Sequence, residues 1–106
     1  MAVLALQSLT ATGTELTFTA ASDTGDLVPN NGGGSVIAVK NDSDSPITVT
    51  ATATRACSQG FTHDLSESVG AGKTEYIKLP SYLNNSSNQV PIAYSSVTDV
   101  TVAAFK

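Results

Sequence analysis

The sequence predicts an all-β fold, an antiparallel β-sandwich (jelly-roll or Ig-like) of about seven to eight short strands forming a single domain over residues 1–106. Three observations predict it. Ile47, Val49, Ala51 and Ala53 alternate with Thr48, Thr50, Thr52 and Thr54, a period-two pattern that turns one strand face to a core and the other to water. Turn formers recur between such runs, as in Asn41-Asp42-Ser43-Asp44-Ser45-Pro46, where every residue favours a turn. No stretch of helical length shows the 3.6-residue period with caps at its ends.

The elements follow in order. Met1–Ala11 reads as a first strand or an N-terminal arm, with Val3 and Ala5 opposite Leu4 and Leu6. Glu15–Ala20 is a strand with Leu16, Phe18 and Ala20 on one face. Ser22–Gly34, rich in Asp, Asn, Pro and Gly, is the longest irregular stretch and is expected to be an exposed loop. Ser35–Lys40 and Ile47–Thr54 are strands joined as a hairpin through the Asn41–Pro46 turn. Arg55–Gly60 is irregular, and Thr62–Val69 is a weaker strand. Gly70-Ala71-Gly72 turns the chain into the strand Thr74–Leu79, which Pro80 ends. Ser81–Asn88 is a polar, Asn-rich loop. Gln89–Tyr94 and Val100–Phe105 complete the set around a turn at Ser95–Asp99. Candidate core residues are Ile37, Val39, Val49, Ala51, Val90, Ile92, Val100 and Val102. Phe18, Tyr94 and Phe105 are also read as core.

Of the 106 residues, 13% are charged and 41% hydrophobic. The charged share is about half the ordinary one, and Thr and Ser fill the polar positions instead. Thr is stiff and β-branched, which suits strands. The net charge is −4, with five Lys and Arg residues. Scattered cations on an acidic chain argue against a nucleic-acid partner and against an anionic membrane. The single cysteine, Cys57, precludes an internal disulfide and points to assembly in a reducing cytoplasm. The apolar run Ala2–Leu6 is too short for a signal peptide or membrane span, and no export signal is read.

No constellation carries chemistry. Gly70-Ala71-Gly72-Lys73-Thr74 imitates the end of a phosphate loop, but Glu67 stands where the first glycine is required, and strand rather than helix follows. A hairpin turn is the simpler reading. Cys57, His63 and Asp64 are too few and wrongly spaced for a metal site; a Cys–His dyad is formally possible, but a buried small thiol beside a loop histidine is the simpler reading. The Asp42–Asp44 and Asp23–Asp26 segments lack the sixth-position glycine and the closing glutamate of a calcium loop. The expectation is therefore no enzyme, no cofactor and no metal. Among six aromatics, Tyr82 in the Asn-rich loop stands out as an exposed contact.

From residue 35 to 105 the chain resembles the small head-decoration (cement) proteins of tailed bacteriophages. Four blocks carry the likeness: SVIAVKNDSDSPITVT, QGFTHDLSESVGAGKTEYIKL, LPSYLNNSSNQVPIAYSSVT and the terminal strand VTVAAF. The first two read as hairpins, the third as a Pro/Tyr/Asn loop leading into a strand. The resemblance implies a β-sandwich on the exterior of an assembled capsid, a virion protein assembled in the host cytoplasm. Its implied partners are the major capsid protein and further copies of itself, as a homotrimer; no nucleic acid or membrane is implied. The alternatives are a carbohydrate- or surface-binding β-sandwich module and another phage structural component, such as a tail protein. The candidate capsid or subunit contacts are Val3, Leu4, Leu6 and Leu9 of the apolar N-terminal segment, Asn30 and Asn31 of the glycine-rich loop, and Tyr82.

Overall fold

The computed structural model describes residues 2–8, 11, 13, 15–53 and 64–106. They form a β-sandwich of two five-stranded sheets. The strands are β1 (Ala2–Val3), β2 (Leu6–Gln7), β3 (Thr19–Ala20), β4 (Asp26–Pro29), β5 (Ser35–Asn41), β6 (Ile47–Ala51), β7 (Leu65–Val69), β8 (Thr74–Leu79), β9 (Gln89–Tyr94) and β10 (Val100–Phe105). One short 3-10 turn, Ser81–Leu83, lies between β8 and β9. The first sheet has the order β1-β4-β9-β6-β7, the second β2-β10-β5-β8, with β3 also pairing β10. Pairing is antiparallel except where β1 meets β4 and β2 meets β10.

Alternation decides which residues enter the core. Ile37 and Val39 of β5 point inward, beside Val102 and Ala104 of β10 and Ile77 of β8. The first sheet answers with Ile47, Val49, Ala51, Val90, Ile92, Val28 and Val69. All eight core residues expected from the sequence are buried. Each buried Val, Leu or Ile contributes about 1.5–3 kcal/mol of transfer free energy.

Several expectations are corrected. Ser22–Gly34 is not one loop: β4 runs through it, with Asp26 and Val28 inward. The strand expected over Glu15–Ala20 shortens to Thr19–Ala20. The two blocks read as hairpins are crossings between sheets: β5 and β8 lie in the second sheet, β6 and β7 in the first. The strands of each pair therefore belong to opposite sheets and share no ladder. Phe105 and Phe18 are half-buried rather than core, and Phe105 lies on the outer side of its sheet, one residue past the inward Ala104. The N-terminal segment, over residues 2–7, is part of the sandwich. It pairs in the first sheet, crosses at Leu4 and Ala5, and pairs again in the second. Leu9, Cys57, Phe61 and His63 lie outside the described residues.

Candidate interaction surface

Two buried asparagines fix the loops at the two ends of the sandwich. At one end, Asn30 has no exposed surface. Its Nδ2 donates to the carbonyls of Leu79 (3.1 Å) and Pro80 (3.3 Å) and to Asn84 Oδ1 (2.8 Å). Its Oδ1 accepts the Ser35 N–H at 2.9 Å, and Asn84 Nδ2 donates to the Asn30 carbonyl at 2.8 Å. Gly33, at φ +79°, brings its backbone so close to Ser81 that a Cβ would lie 3.1 Å from the Ser81 Cβ. This knot ties the β4–β5 loop to the β8–β9 crossing. At the other end, Asn41 Nδ2 donates to the carbonyls of Ser45 (2.9 Å), Val69 (3.1 Å) and Gly70 (3.3 Å). Its Oδ1 accepts from the Ser43 N–H and hydroxyl. The Asn41 knot holds the β5–β6 and β7–β8 crossings together. Among the described residues, no buried side-chain polar atom lacks a partner.

A third polar contact lies inside the first sheet. The Tyr94 hydroxyl donates to Asp26 Oδ2 at 2.7 Å, and the Ser22 N–H donates to the same oxygen at 3.3 Å. Burial, reinforced by the hydrogen bond to Asp26 and by its charge, pushes the Tyr94 phenol well above its ordinary pKa. It therefore stays protonated and donating. Asp26 has its neighbours within the fold and is not arranged to receive a substrate. Among the described residues, no three or more His, Cys, Asp or Glu side chains gather as a metal would require.

The expected contact residues divide. Val3 is 57%, Tyr82 49% and Leu6 39% exposed, and Asn31 is exposed at the Asn30 end. Lys106 Nζ donates to the Asn31 carbonyl at 2.7 Å, joining that loop to the end of β10. Leu4 and Asn30 do not offer contact surface. Leu4 is part of the core cluster, because the chain passes between the sheets there. Asn30 has turned its amide inward, where it satisfies backbone groups that would otherwise be buried without partners. The Asn30 knot brings Asn31 and Tyr82 to one end of the molecule, while Val3 lies on the first sheet.

Among the described residues, the most exposed large hydrophobic one was not anticipated. Tyr76 is 62% exposed and stands on the outer face of the second sheet. The register there places three rows across β8, β5 and β10: Thr74, Lys40 and Thr101; Tyr76, Ala38 and Ala103; Lys78, Val36 and Phe105. The rows are roughly 7 Å apart. Tyr76 and Phe105 stand on strands separated by β5, roughly 9.6 Å, yet their rings meet edge to face with centroids 6.2 Å apart. The rings therefore lean toward each other over β5, which explains why Ala38 points outward and still has 0% exposure. Strand parity carried this information: Ile77 inward forces Tyr76 and Lys78 outward.

The outer face of the first sheet differs. Around β6 and β7 it presents Thr48, Thr50, Ser66 and Ser68, with Thr50 and Ser66 hydroxyls 3.2 Å apart. Around β4 and β9 it presents Leu27, Pro29 and Pro91 beside Val3. Two hollows accompany these faces. One, about 220 Å³, opens where β2 and β3 leave a gap along β10 at Ala103. The other, about 400 Å³, lies between the β7 and β8 edges. It is flanked by Glu67 and Glu75, inward-pointing carboxylates that discourage edge pairing with another chain.

No family model, curated protein or solved structure matches this chain.

Proposed function

We propose that this chain is a capsid decoration (cement) protein, a structural protein that binds the outer surface of a tailed-phage head and stabilises the shell. The supporting observation is the nature of its exposed surface. A sandwich with loops pinned at both ends by buried asparagines leaves Tyr76 exposed on one sheet, Val3 on the other and Tyr82 at one end. Large apolar side chains held on a rigid frame suit a contact surface, because little conformational freedom is lost on docking. The four sequence blocks that resemble head-decoration proteins point the same way. In this reading the chain acts on the virion exterior, as a homotrimer bound to the major capsid protein, and performs no catalysis.

The test is co-sedimentation. Purified chain mixed with undecorated, expanded heads should pellet with them to a saturating stoichiometry and raise their resistance to heat. Chain that stays in the supernatant at every concentration would refute the proposal.

Tyr76 favours a second reading. An exposed ring on a flat sheet face is also a platform for a sugar ring, as a carbohydrate- or surface-binding module would present. A screen of glycans against the melting temperature separates the two: a saturable upward shift belongs to the second reading, none to the first.

A further inference from the structure

We infer that the outer face of the second sheet is the docking face, and that the surface it meets is an acidic protein surface with an apolar centre. This rests on the capsid-binding reading above and names which face docks and what it recognises.

The inference comes from the distribution of charge. The chain carries a net charge of −4, so an acidic partner is repelled by the molecule as a whole. The outer face of the second sheet nevertheless carries cations and no carboxylate, while Lys73 lies with Asp42, Asp44 and Asp99 at the Asn41 end. Lys40 and Lys78 both point outward on β5 and β8, placed by the parity that buries Val39 and Ile77. Lys106 follows directly after Phe105 at the corner of the same sheet. The three-by-three grid of outward positions on β8, β5 and β10 contains two lysines and no carboxylate. The described acidic residues lie elsewhere. Asp42, Asp44 and Asp99 are in turns at the Asn41 end, where the Asp42 N–H bonds the Asp99 carbonyl at 2.9 Å. Asp64 and Glu67 belong to the region of β7. Glu75 faces the cleft between the sheets, Glu15 and Asp23 flank β3, and Asp26 is buried.

The centre of the same face is apolar and already ordered. Tyr76 and Phe105 hold each other edge to face above Ala38. An aromatic centre with a polar, charged rim suits a contact whose core excludes water and whose rim sets orientation. Such a rim accelerates and directs encounter with an acidic surface. The first sheet offers no charged counterpart: its outer face carries hydroxyls on β6 and β7 and the apolar Leu27, Pro29, Pro91 and Val3 on β4, β9 and β1. A nucleic acid also combines negative charge with flat rings. Two lysines on the grid and one at its corner, against the negative charge of the whole chain, are few beside the phosphate contacts such binding usually needs, so the protein surface is favoured.

The experiment measures binding to undecorated heads by sedimentation for the full chain and three variants, each first shown to melt as the unmodified chain does. Lys40→Glu/Lys78→Glu is expected to weaken binding at least tenfold, Tyr76→Ala about tenfold, and Thr48→Glu/Thr50→Glu on the other sheet less than twofold. Binding of the unmodified chain should weaken when salt is raised from about 0.05 to 0.5 M, as the Debye length contracts. If the charge reversal melts early, Lys40→Gln/Lys78→Gln takes its place, with a smaller loss of the same sign. Unmodified binding by the lysine and Tyr76 variants, or loss confined to the Thr48/Thr50 variant, overturns this inference and leaves the decoration reading standing. No binding by the unmodified chain overturns the decoration reading itself. A single-stranded oligo(dT) that binds with micromolar affinity and loses it with Tyr76→Ala would assign the face to nucleic acid and overturn the inference.

Discussion

The outer faces of the two sheets rest on the same backbone and the same core, yet they are furnished differently. On β6 and β7 the outward residues are Thr48, Thr50, Ser66 and Ser68, short side chains that hydrogen-bond across strands and to water. On β5, β8 and β10 the outward residues include Tyr76, Phe105, Val36, Lys40 and Lys78. The first arrangement meets the needs of a solvated strand and no more. The second leaves an aromatic ring 62% exposed, an unfavourable use of apolar surface unless something covers it. Burial inside the fold explains Ala38 and the inward residues. It does not account for Tyr76, which docking through the proposed face would cover.

Both faces hang from the asparagine knots, so the strongest way to break the comparison is to remove one. Asn30→Ala deletes the amide that holds Leu79, Pro80, Ser35 and Asn84. It should cost about 3 kcal/mol in urea unfolding and expose both faces to disorder together. A loss under 0.5 kcal/mol would show that the knot is incidental.

Next in size is a substitution beneath the ring pair. Ala38→Leu forces Tyr76 and Phe105 apart and should cost about 1–3 kcal/mol by overpacking. Its counterpart on the hydroxyl face, Thr50→Val, should stay within about 0.5 kcal/mol of the unmodified chain. Equal costs at the two positions would mean the faces are packed alike.

Tyr94→Phe sharpens the contrast between an interior tyrosine and the surface one. It removes the 2.7 Å bond to Asp26 and should cost about 1–2 kcal/mol. The pH dependence has a definite sign. The Tyr94 pKa is raised in the folded state, so the stability it contributes is complete below the unfolded value near 10. That contribution falls as pH rises above it. Urea titrations between about pH 9 and 11 should show this decline in the unmodified chain and a smaller one in Tyr94→Phe. Parallel curves would contradict the assignment.

The smallest expected effect belongs to the solvated face. Thr50→Ala loses one cross-strand hydroxyl contact and should lower stability by about 0.2–1 kcal/mol without altering binding to heads.

Much of the fold was legible because alternation is a strong signal where a strand is wet on one side. β6, with Thr against Val and Ala, and β9, with Val90 and Ile92 inward, were readable to within a few residues. β4 was hidden for a physical reason. Its inward position 26 is an aspartate, satisfied by Tyr94 from a distant strand, and Pro29 sits on an outward position; both residue types ordinarily mark loops. Asn30 was misread for the same cause, since an asparagine before glycines normally turns toward water, and only the arrival of Leu79 and Asn84 turns it inward. The pairing of β5 and β6 as a hairpin failed because local sequence does not say which sheet a strand joins. The candidate face was half legible. Parity alone sends Lys40, Tyr76 and Lys78 outward, but their assembly beside Phe105 depends on the strand order β10-β5-β8, which no local pattern encodes.

The most direct test of the central claim is an electron-microscopy reconstruction of decorated heads at a resolution that orients the sandwich. The account predicts that Tyr76, Lys40 and Lys78 face the shell, against acidic side chains, while Thr48 and Thr50 face solvent. A map in which the Thr/Ser face of β6 and β7 lies on the shell and Tyr76 points into solvent would contradict it.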